Sequence, residues 1–379
     1  RFHLKHEYMN ALKKQLKNDL ENYVNKHNKK IETVFIGGGT PSTIKAFEYE
    51  EIFEMIKPYL EEFAEITTEA NPNSASYEWL ESMKNLGVNR VSFGVQSFDN
   101  DKLKFLGRAH NSNSAIKAIQ NAKEIGFKGI NCDIIYGVQN DTMESLKKDF
   151  DTAFSLPITH LSAYSLTIEE GTKFFDRSSV KIDDEELSYE IFDYINKNGF
   201  HQYEISNFAK NKESESKHNY GYWQHKEYLG VGAGAVGYIN QERHYPSKSI
   251  EEYIQNPLDY EIEKIDLDDV KTEKILLGFR SLNGVEISLF NEEEMKKIDG
   301  LVEYPKMALK DQEIWLEKNI RINCLEDETM LEYVIGDDLD TVEFDEDCPF
   351  DQAKWYYLED LIYTRYGYKI KDSSCYWPK

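Results

Sequence analysis

The sequence lacks closely spaced cysteines and long apolar runs. Its four cysteines, at positions 132, 324, 348 and 375, are too far apart for a zinc pair or an iron–sulfur motif and too few for a disulfide framework in 379 residues. We therefore predict no metal ligands within this chain. No stretch approaches the roughly 20 apolar residues of a membrane-spanning helix, and the amino terminus has no secretion-signal pattern. These absences predict a cytoplasmic protein without an integral membrane segment.

Positive charge is also scarce. The 45 lysines and arginines are outnumbered by 69 acidic residues, which gives a formal net charge of -24. Such a surface repels nucleic-acid backbones and anionic membranes, and no basic patch opposes it, so we predict no nucleic-acid partner. Hydrophobic residues make up 40% of the chain and aromatic residues 13%, which indicates globular structure rather than disorder.

Hydrophobic periodicity predicts strands and helices in alternation over the first half of the chain. An amphipathic helix is predicted over residues 7–28, followed by strands at 33–36, 65–70, 90–95, 129–135 and 159–166 with helices between them, such as 74–86 and 113–125. Strands that are separated by helices pair in parallel, so this repeat predicts an α/β fold. After residue 170 we predict helices at 189–197 and 269–282 and a strand at 202–208.

The first site signal is a glycine run that directly follows the predicted strand at 33–36. Gly37, Gly38 and Gly39 are followed by Thr40 and Pro41. Successive glycines let the backbone turn sharply and let a ligand approach the main chain closely. A glycine run alone is a weak motif, and a simple connecting turn explains it equally well.

Polar residues at the ends of three successive predicted strands strengthen the functional interpretation. Glu69, Gln96 and Asp133 each lie at or near the carboxyl end of a strand. In parallel sheets and barrels that edge binds ligands, because the loops there converge. Glu69 could accept hydrogen bonds from an ammonium group, and Gln96 and Asp133 could hold ribose hydroxyls. The alternative is that each residue caps nearby backbone amides.

Five segments together resemble the coproporphyrinogen-oxidase branch of the radical S-adenosylmethionine (SAM) proteins. They are GGGTPS at 37–42, EANP at 69–72, RVSFGVQS at 90–97, LGRAH at 106–110 and DIIYG at 133–137. The resemblance implies that Gly38, Gly39 and Thr40 contact the methionyl part of SAM. It further implies that Glu69, Gln96, Arg108 and Asp133 surround the rest of that cofactor.

A second group of motifs favours the HemW branch of these proteins. YEISNFA at 203–209 is followed by HNYGYW at 218–223 and YLGVGAGA at 228–235. His218, Tyr222 and Trp223 resemble the residues with which HemW proteins handle haem. An imidazole can ligate haem iron while neighbouring aromatic rings pack on the macrocycle. The alternative is a core histidine that is hydrogen-bonded beneath two aromatic residues.

One family feature is absent from the sequence. The relatives implied by the resemblance carry a Cys-x-x-x-Cys-x-x-Cys loop after the first barrel strand, and this loop holds a [4Fe-4S] cluster. The chain starts at Arg1, where the family pattern places the residues just after that loop. Three explanations stay open: the first strand and the loop are cut off, disordered, or lost in this protein.

We therefore predict a partial parallel (β/α)6 barrel of the radical SAM type, without its first strand, and a smaller carboxyl-terminal α+β region. Residues 1–170 form the barrel core in this prediction. Residues 171–300 form an extension with the haem motif and the start of the family's last domain. Residues 301–379 form a small acidic, aromatic-rich module with a helix around Trp355, either a charged solvated surface or a partner-binding unit.

The resemblance implies a haem chaperone that, when complete, binds SAM, a [4Fe-4S] cluster and haem. Its expected partners are haem or porphyrin and a haem-acceptor protein. One alternative is an oxygen-independent coproporphyrinogen III oxidase, which would use a 5′-deoxyadenosyl radical. Another is a cluster-free scaffold whose acidic module binds a protein partner.

Overall fold

A parallel sheet forms the centre of the protein. The structure, a computed structural model, describes residues 2–168, 174, 180–182, 185–295, 307–310 and 313–316. Five strands lie side by side in chain order and pair in parallel: β1 (Ile31–Ile36), β2 (Leu60–Ala70), β3 (Arg90–Gln96), β4 (Gly129–Tyr136) and β5 (His160–Ser165). Each covers most of a predicted strand, so the α/β prediction is confirmed.

One helix precedes these strands and others connect them, and the sequence marks where several of the helices begin and end. They are α1 (Lys5–Asp19), α2 (Glu50–Ile56), α3 (Tyr77–Leu86), α4 (Asn100–Phe105), α5 (Ser112–Ile125) and α6 (Met143–Ser155). A π-helical segment, Leu20–Asn25, continues α1, so the helix predicted at 7–28 is present. Asn111 and Ser114 form a capping box at the start of α5. Gly126 ends this helix in a left-handed conformation with a φ of +92°.

The two faces of the parallel sheet differ in polarity. Alternate residues of β3, such as Val91, Phe93 and Val95, are buried in the main hydrophobic core with helix residues such as Leu80 and Ile119. The opposite face carries polar side chains from several strands. In cross-strand register, Glu69 pairs with Ser92, Ser92 with Asn131, Asn131 with His160, and Asp133 with Ser162. Because side chains alternate between the two faces of a strand, one face of the sheet packs under helices. We call the opposite face, which carries these polar side chains, the polar wall.

The sheet continues after β5 with two short strands that pair in antiparallel. Helix α7 (Glu185–Lys197) is followed by β6 (His201–Gln202) and β7 (Asn207–Ala209), and the strand order is β5-β7-β6 with antiparallel pairing. The prediction of one strand at 202–208 is wrong, because residues 203–206 connect two short strands that pair with each other in antiparallel. Glu204 instead accepts a hydrogen bond from the backbone amide of Ser206 at 2.8 Å. A sixth parallel strand is absent from the described residues.

Smaller elements follow the main sheet. Helix α8 (Lys217–Trp223) precedes an antiparallel sheet of β8 (Gly237–Ile239), β9 (Glu242–Pro246) and β10 (Tyr260–Lys264), with α9 (Ile250–Gln255) between β9 and β10. Helix α10 (Leu267–Phe279) covers most of the predicted 269–282 helix. A third sheet pairs β13 (Glu313–Leu316) with β11 (Val285–Glu286) and with β12 (Met307–Lys310).

Two predictions for the carboxyl-terminal end lie outside the described residues, namely the helix around Trp355 and most of the acidic module at 301–379. The three-part division of the chain stays a prediction. Among the helices that the structure describes, none combines the length and the apolar composition that crossing a membrane requires.

Candidate functional site

The glycine run forms a tight turn at the carboxyl end of β1. Gly38 and Gly39 have φ angles of +75° and +77°, which side chains rarely adopt. The backbone N–H of Gly38 donates a hydrogen bond to Oε2 of Glu69 at 3.2 Å. At Gly37, an added Cβ would lie 2.3 Å from the ring of Phe35. The run therefore brings the main chain against the end of β2.

The loops after β1 and β2 are joined by hydrogen bonds. Thr40 precedes a 3-10 turn over Pro41–Thr43, and its carbonyl accepts a hydrogen bond from the Thr43 amide at 3.0 Å. The hydroxyl of Ser42 lies 2.6 Å from that of Ser74 and accepts a hydrogen bond from the Asn71 amide at 3.0 Å. The GGGTPS and EANP motifs are therefore two parts of one edge.

Gln96 ends β3 in an unusual conformation. Its φ angle is +71°, and the pairing of β3 with β4 shifts register between Phe93 and Gln96. The side-chain nitrogen Nε2 of Gln96 lies 3.0 Å from the point where a Cβ on Gly94 would be. Gly94 and Ser92 lie on the same face of the strand. The side-chain amide of Gln96 therefore folds back along β3 onto the face that forms the polar wall. A strained, buried amide at a strand end indicates a functional position.

Asp133 lies on the same polar wall, one strand further along. Its Oδ1 accepts hydrogen bonds from Nδ2 of Asn131 at 2.6 Å and from the Ser92 hydroxyl at 3.5 Å. Burial raises the pKa of the Asp133 carboxyl, while hydrogen bonds from Ser162, Asn131 and Ser92 and the charge of Arg108 oppose this rise. Arg108 itself is exposed and follows α4. The structure thus brings Glu69, Gln96 and Asp133 to one edge with the glycine turn.

The predicted haem residues lie on α8, towards the other end of the polar wall. Nδ1 of His218 lies 2.9 Å from the Thr33 hydroxyl, and Nε2 lies 3.0 Å from the Tyr222 hydroxyl. The imidazole also stacks on Phe35, with a centroid distance of 5.0 Å and an interplanar angle of 11°. Burial lowers the pKa of His218 to about 4, although the charge of Glu65 opposes this change. His218 is therefore neutral at pH 7, with both ring nitrogens hydrogen-bonded.

Tyr222 and Trp223 differ in their surroundings. Tyr222 is half-buried and meets Tyr228 edge to face at 4.7 Å. Trp223 is only 4% exposed, so its ring belongs to the interior of this structure. The structure brings His218 and Tyr222 into direct contact, but it does not place Trp223 where it could pack on an external macrocycle.

Sequence reasoning missed the residues that connect these two regions. Glu65 accepts hydrogen bonds from the backbone amides of Lys217 at 3.0 Å and His218 at 3.1 Å, which fixes the start of α8 on β2. Asn131 and His160 are buried on the polar wall. The signal that could have revealed them is period-two alternation, since polar side chains recur at every second position of β2, β4 and β5.

The described part of the chain does not supply ligands for an iron–sulfur cluster. Cys132 is completely buried on β4, and burial raises the pKa of its thiol well above the usual value. A cluster requires accessible thiolates, so this cysteine does not fit that role. Within the residues that are described, no three histidine, cysteine or acidic side chains form a group that could hold a metal ion.

Comparisons with known proteins agree with this architecture. The model of the Radical SAM superfamily matches residues 6–153. A protein named heme chaperone HemW from Bacillus subtilis is 35% identical over 320 residues, covering 80% of this chain and 83% of that protein. The heme chaperone HemW of Lactococcus lactis is 35% identical over 273 residues, 69% of this chain and 72% of that protein.

The fold is also similar to a solved structure, that of coproporphyrinogen III oxidase (HemN) from Escherichia coli. The TM-score is 0.70, with 17% sequence identity over 88% of this chain and 82% of that one. At this identity the likeness concerns the fold alone. Taken with the sequence relatives and the glycine-edged polar wall, it leads to one assignment: this chain belongs to the HemW family of radical SAM proteins.

Proposed function

We propose that this protein is a haem chaperone that binds SAM at the carboxyl edge of its parallel sheet and carries haem as cargo. The names of its relatives support the haem part of this proposal. The oxidase alternative has support only from a likeness in fold, so the chaperone is the preferred function.

The polar edge beside the glycine turn is the observation that carries the SAM part. SAM presents an ammonium group, a carboxylate and a ribose diol. Glu69, which already accepts the Gly38 amide, can accept hydrogen bonds from the ammonium group. Asp133 and the amide of Gln96 can bind the ribose hydroxyls. Exposed Arg108 supplies a positive charge near Asp133 that can meet the carboxylate.

A [4Fe-4S] cluster, as the radical SAM family implies, would supply the electrons for cleaving SAM. Thiolates of a cysteine loop would hold it, and the described residues provide no such loop. The proposal therefore assigns to this chain the binding and orientation of SAM. It assigns no radical step to the residues described.

The proposed haem ligand is His218, and the structure defines a condition for this role. Both ring nitrogens make hydrogen bonds within the protein, so iron ligation through Nε2 requires the Tyr222 hydroxyl to release this nitrogen. The neutral state of His218 suits ligation, because a protonated imidazole cannot bind iron. Haem iron and the Tyr222 hydroxyl therefore compete for Nε2 of His218.

Haem titration of three variants tests this proposal. We expect His218→Ala to lose the ligation spectrum and most of the affinity. Tyr222→Phe frees Nε2 from a hydrogen bond worth about 0.5–1.5 kcal/mol, so it should bind haem about two- to tenfold more tightly. His225→Ala is the matched control, since His225 contacts Glu273 instead and should leave binding unchanged. Equal affinities and spectra for the wild type and His218→Ala would remove His218 from the proposal.

A further inference from the structure

A buried chain of hydrogen bonds connects the two ends of the polar wall. Starting from Asp133, Oδ1 accepts from Nδ2 of Asn131 at 2.6 Å, and Oδ1 of Asn131 lies 2.6 Å from Nδ1 of His160. Nε2 of His160 lies 2.7 Å from the Tyr203 hydroxyl, which accepts a hydrogen bond from the backbone amide of Ser216 at 3.1 Å. Ser216 is the residue that caps the start of α8.

The protons in this chain have one consistent arrangement. The amide nitrogen of Asn131 donates to Asp133, so the amide oxygen faces His160 and can only accept. Burial lowers the pKa of His160 well below its usual value, so the imidazole is neutral and carries its single proton on Nδ1. Nε2 must then accept from the Tyr203 hydroxyl. Every donor in the chain therefore points from α8 towards the Asp133 carboxylate.

The connecting residues are almost completely buried. Asn131, His160, Tyr203 and Ser216 are between 0% and 4% exposed. A buried polar group that loses its partner is costly, and hydrogen bonds in a low dielectric polarise one another. A change in the charge that Asp133 presents therefore affects each bond along the chain.

The far end of the chain reaches the first turn of α8. Ser216 caps this helix by accepting from the Asn219 amide, and its hydroxyl donates to Oε1 of Glu65 at 3.3 Å. The same Glu65 oxygen accepts from the backbone amide of His218. A shift of Ser216 relative to Tyr203 therefore changes the position of the His218 backbone. The imidazole of His218 is hydrogen-bonded to Thr33 on β1. A shift of the His218 backbone therefore changes the position of the ring relative to Thr33.

We propose that His160 and Tyr203 are positioning residues that couple ligand binding at Asp133 to the position of His218 on α8. The coupling rests on the proposed function in one respect, since it takes SAM as the ligand at Asp133. A ribose diol that donates hydrogen bonds to Asp133 would weaken the hydrogen bond that Asp133 accepts from Asn131. The hydrogen bonds of His160, Tyr203 and Ser216 would then weaken in turn. Because coupling between two sites is reciprocal, a ligand on His218 affects SAM binding to the same extent.

Side-chain NMR of the full chain labelled with [15N]histidine tests the coupling without haem. In the wild type, saturating SAM should shift the ring resonances of both His160 and His218. Tyr203→Phe removes one hydroxyl from the middle of the chain, so SAM should still shift His160 but leave His218 unchanged. Tyr253→Phe is the matched control. Tyr253 is almost as fully buried as Tyr203, but its hydroxyl donates a hydrogen bond to Gln15, which is not part of the hydrogen-bond chain from Asp133 to Ser216. This control should behave as the wild type does.

The outcomes separate the coupling from the proposed function. Equilibrium dialysis on the same samples measures SAM binding directly. If the wild type binds SAM and the His218 resonances stay in place, the coupling is refuted while SAM binding stands. A His218 shift of equal size in Tyr203→Phe refutes it as well. If the wild type binds no SAM, both the SAM part of the proposed function and the coupling fail. A wild type that binds SAM without a shift of the His218 resonances refutes the coupling even if Tyr203→Phe does not fold.

Discussion

The buried imidazole of His218 makes the stability of this protein depend on pH in a definite direction. Burial lowers the His218 pKa to about 4 in the folded protein, whereas an unfolded histidine titrates near 6.5. Between these values the unfolded state binds more protons, so the free energy of unfolding falls as the pH is lowered. At about 1.4 kcal/mol per pKa unit, the loss is roughly 2 kcal/mol at pH 5 and about 3 kcal/mol by pH 4.

Other groups oppose this effect, so the test is a comparison of variants. Burial raises the pKa of Glu204 to about 7, which makes folding less favourable as the pH rises from 4.5 to 7. His218→Gln removes only the histidine contribution and keeps a polar side chain beside Thr33. We expect urea denaturation to show that the difference in stability between wild type and His218→Gln shrinks by roughly 2 kcal/mol from pH 7.5 to pH 5.

His27→Gln, the same substitution at an exposed position, serves as the control. Parallel profiles for wild type and His218→Gln would refute the argument. They would show that the His218 imidazole takes up a proton as readily in the folded protein as in the unfolded chain, contrary to its bonds with Thr33 and Tyr222.

Two further predictions concern the edges of the polar wall. Gly39→Ala forces a side chain into a left-handed conformation and should lower the free energy of unfolding by about 1–2 kcal/mol in urea, whereas Gly221→Ala, within α8, should change it by less than about 1 kcal/mol in either direction. Equal losses would contradict the conformational argument. Glu65→Gln weakens charge-assisted bonds to the start of α8 and should cost about 1–2 kcal/mol, seen as faster hydrogen exchange of the Lys217 and His218 amides. Unchanged exchange would show that Glu65 does not hold this helix.

The parallel part of the fold was predictable because its signals are local. The repeat of short apolar segments and amphipathic helices marked β1 to β5 and the helices between them, such as α5. The glycine turn and the strand-end residues Glu69 and Asp133 were also visible, since motif order and spacing are properties of the sequence.

The features that were missed depend on partners far away along the chain. The reversal between β6 and β7 was missed, because it lies at residues 203–206, where Glu204 pairs with Ser281, 77 residues later. The surroundings of His218 depend on Thr33, separated from it by 185 residues. Whether an imidazole near two aromatic residues is buried or open is decided by such contacts, and local spacing does not contain them.

Binding of SAM to the wild type and to two single variants tests the central claim most directly. Equilibrium dialysis should show saturable binding by the wild type. Asp133→Asn and Glu69→Gln should each weaken it by about 10- to 100-fold, because each removes a charged hydrogen-bond acceptor worth about 1.5–3 kcal/mol. Glu62→Gln, an equal change of charge at an exposed position of β2, should bind as the wild type does. Equal affinity in all four proteins would contradict the assignment of the glycine-edged polar wall as the SAM site.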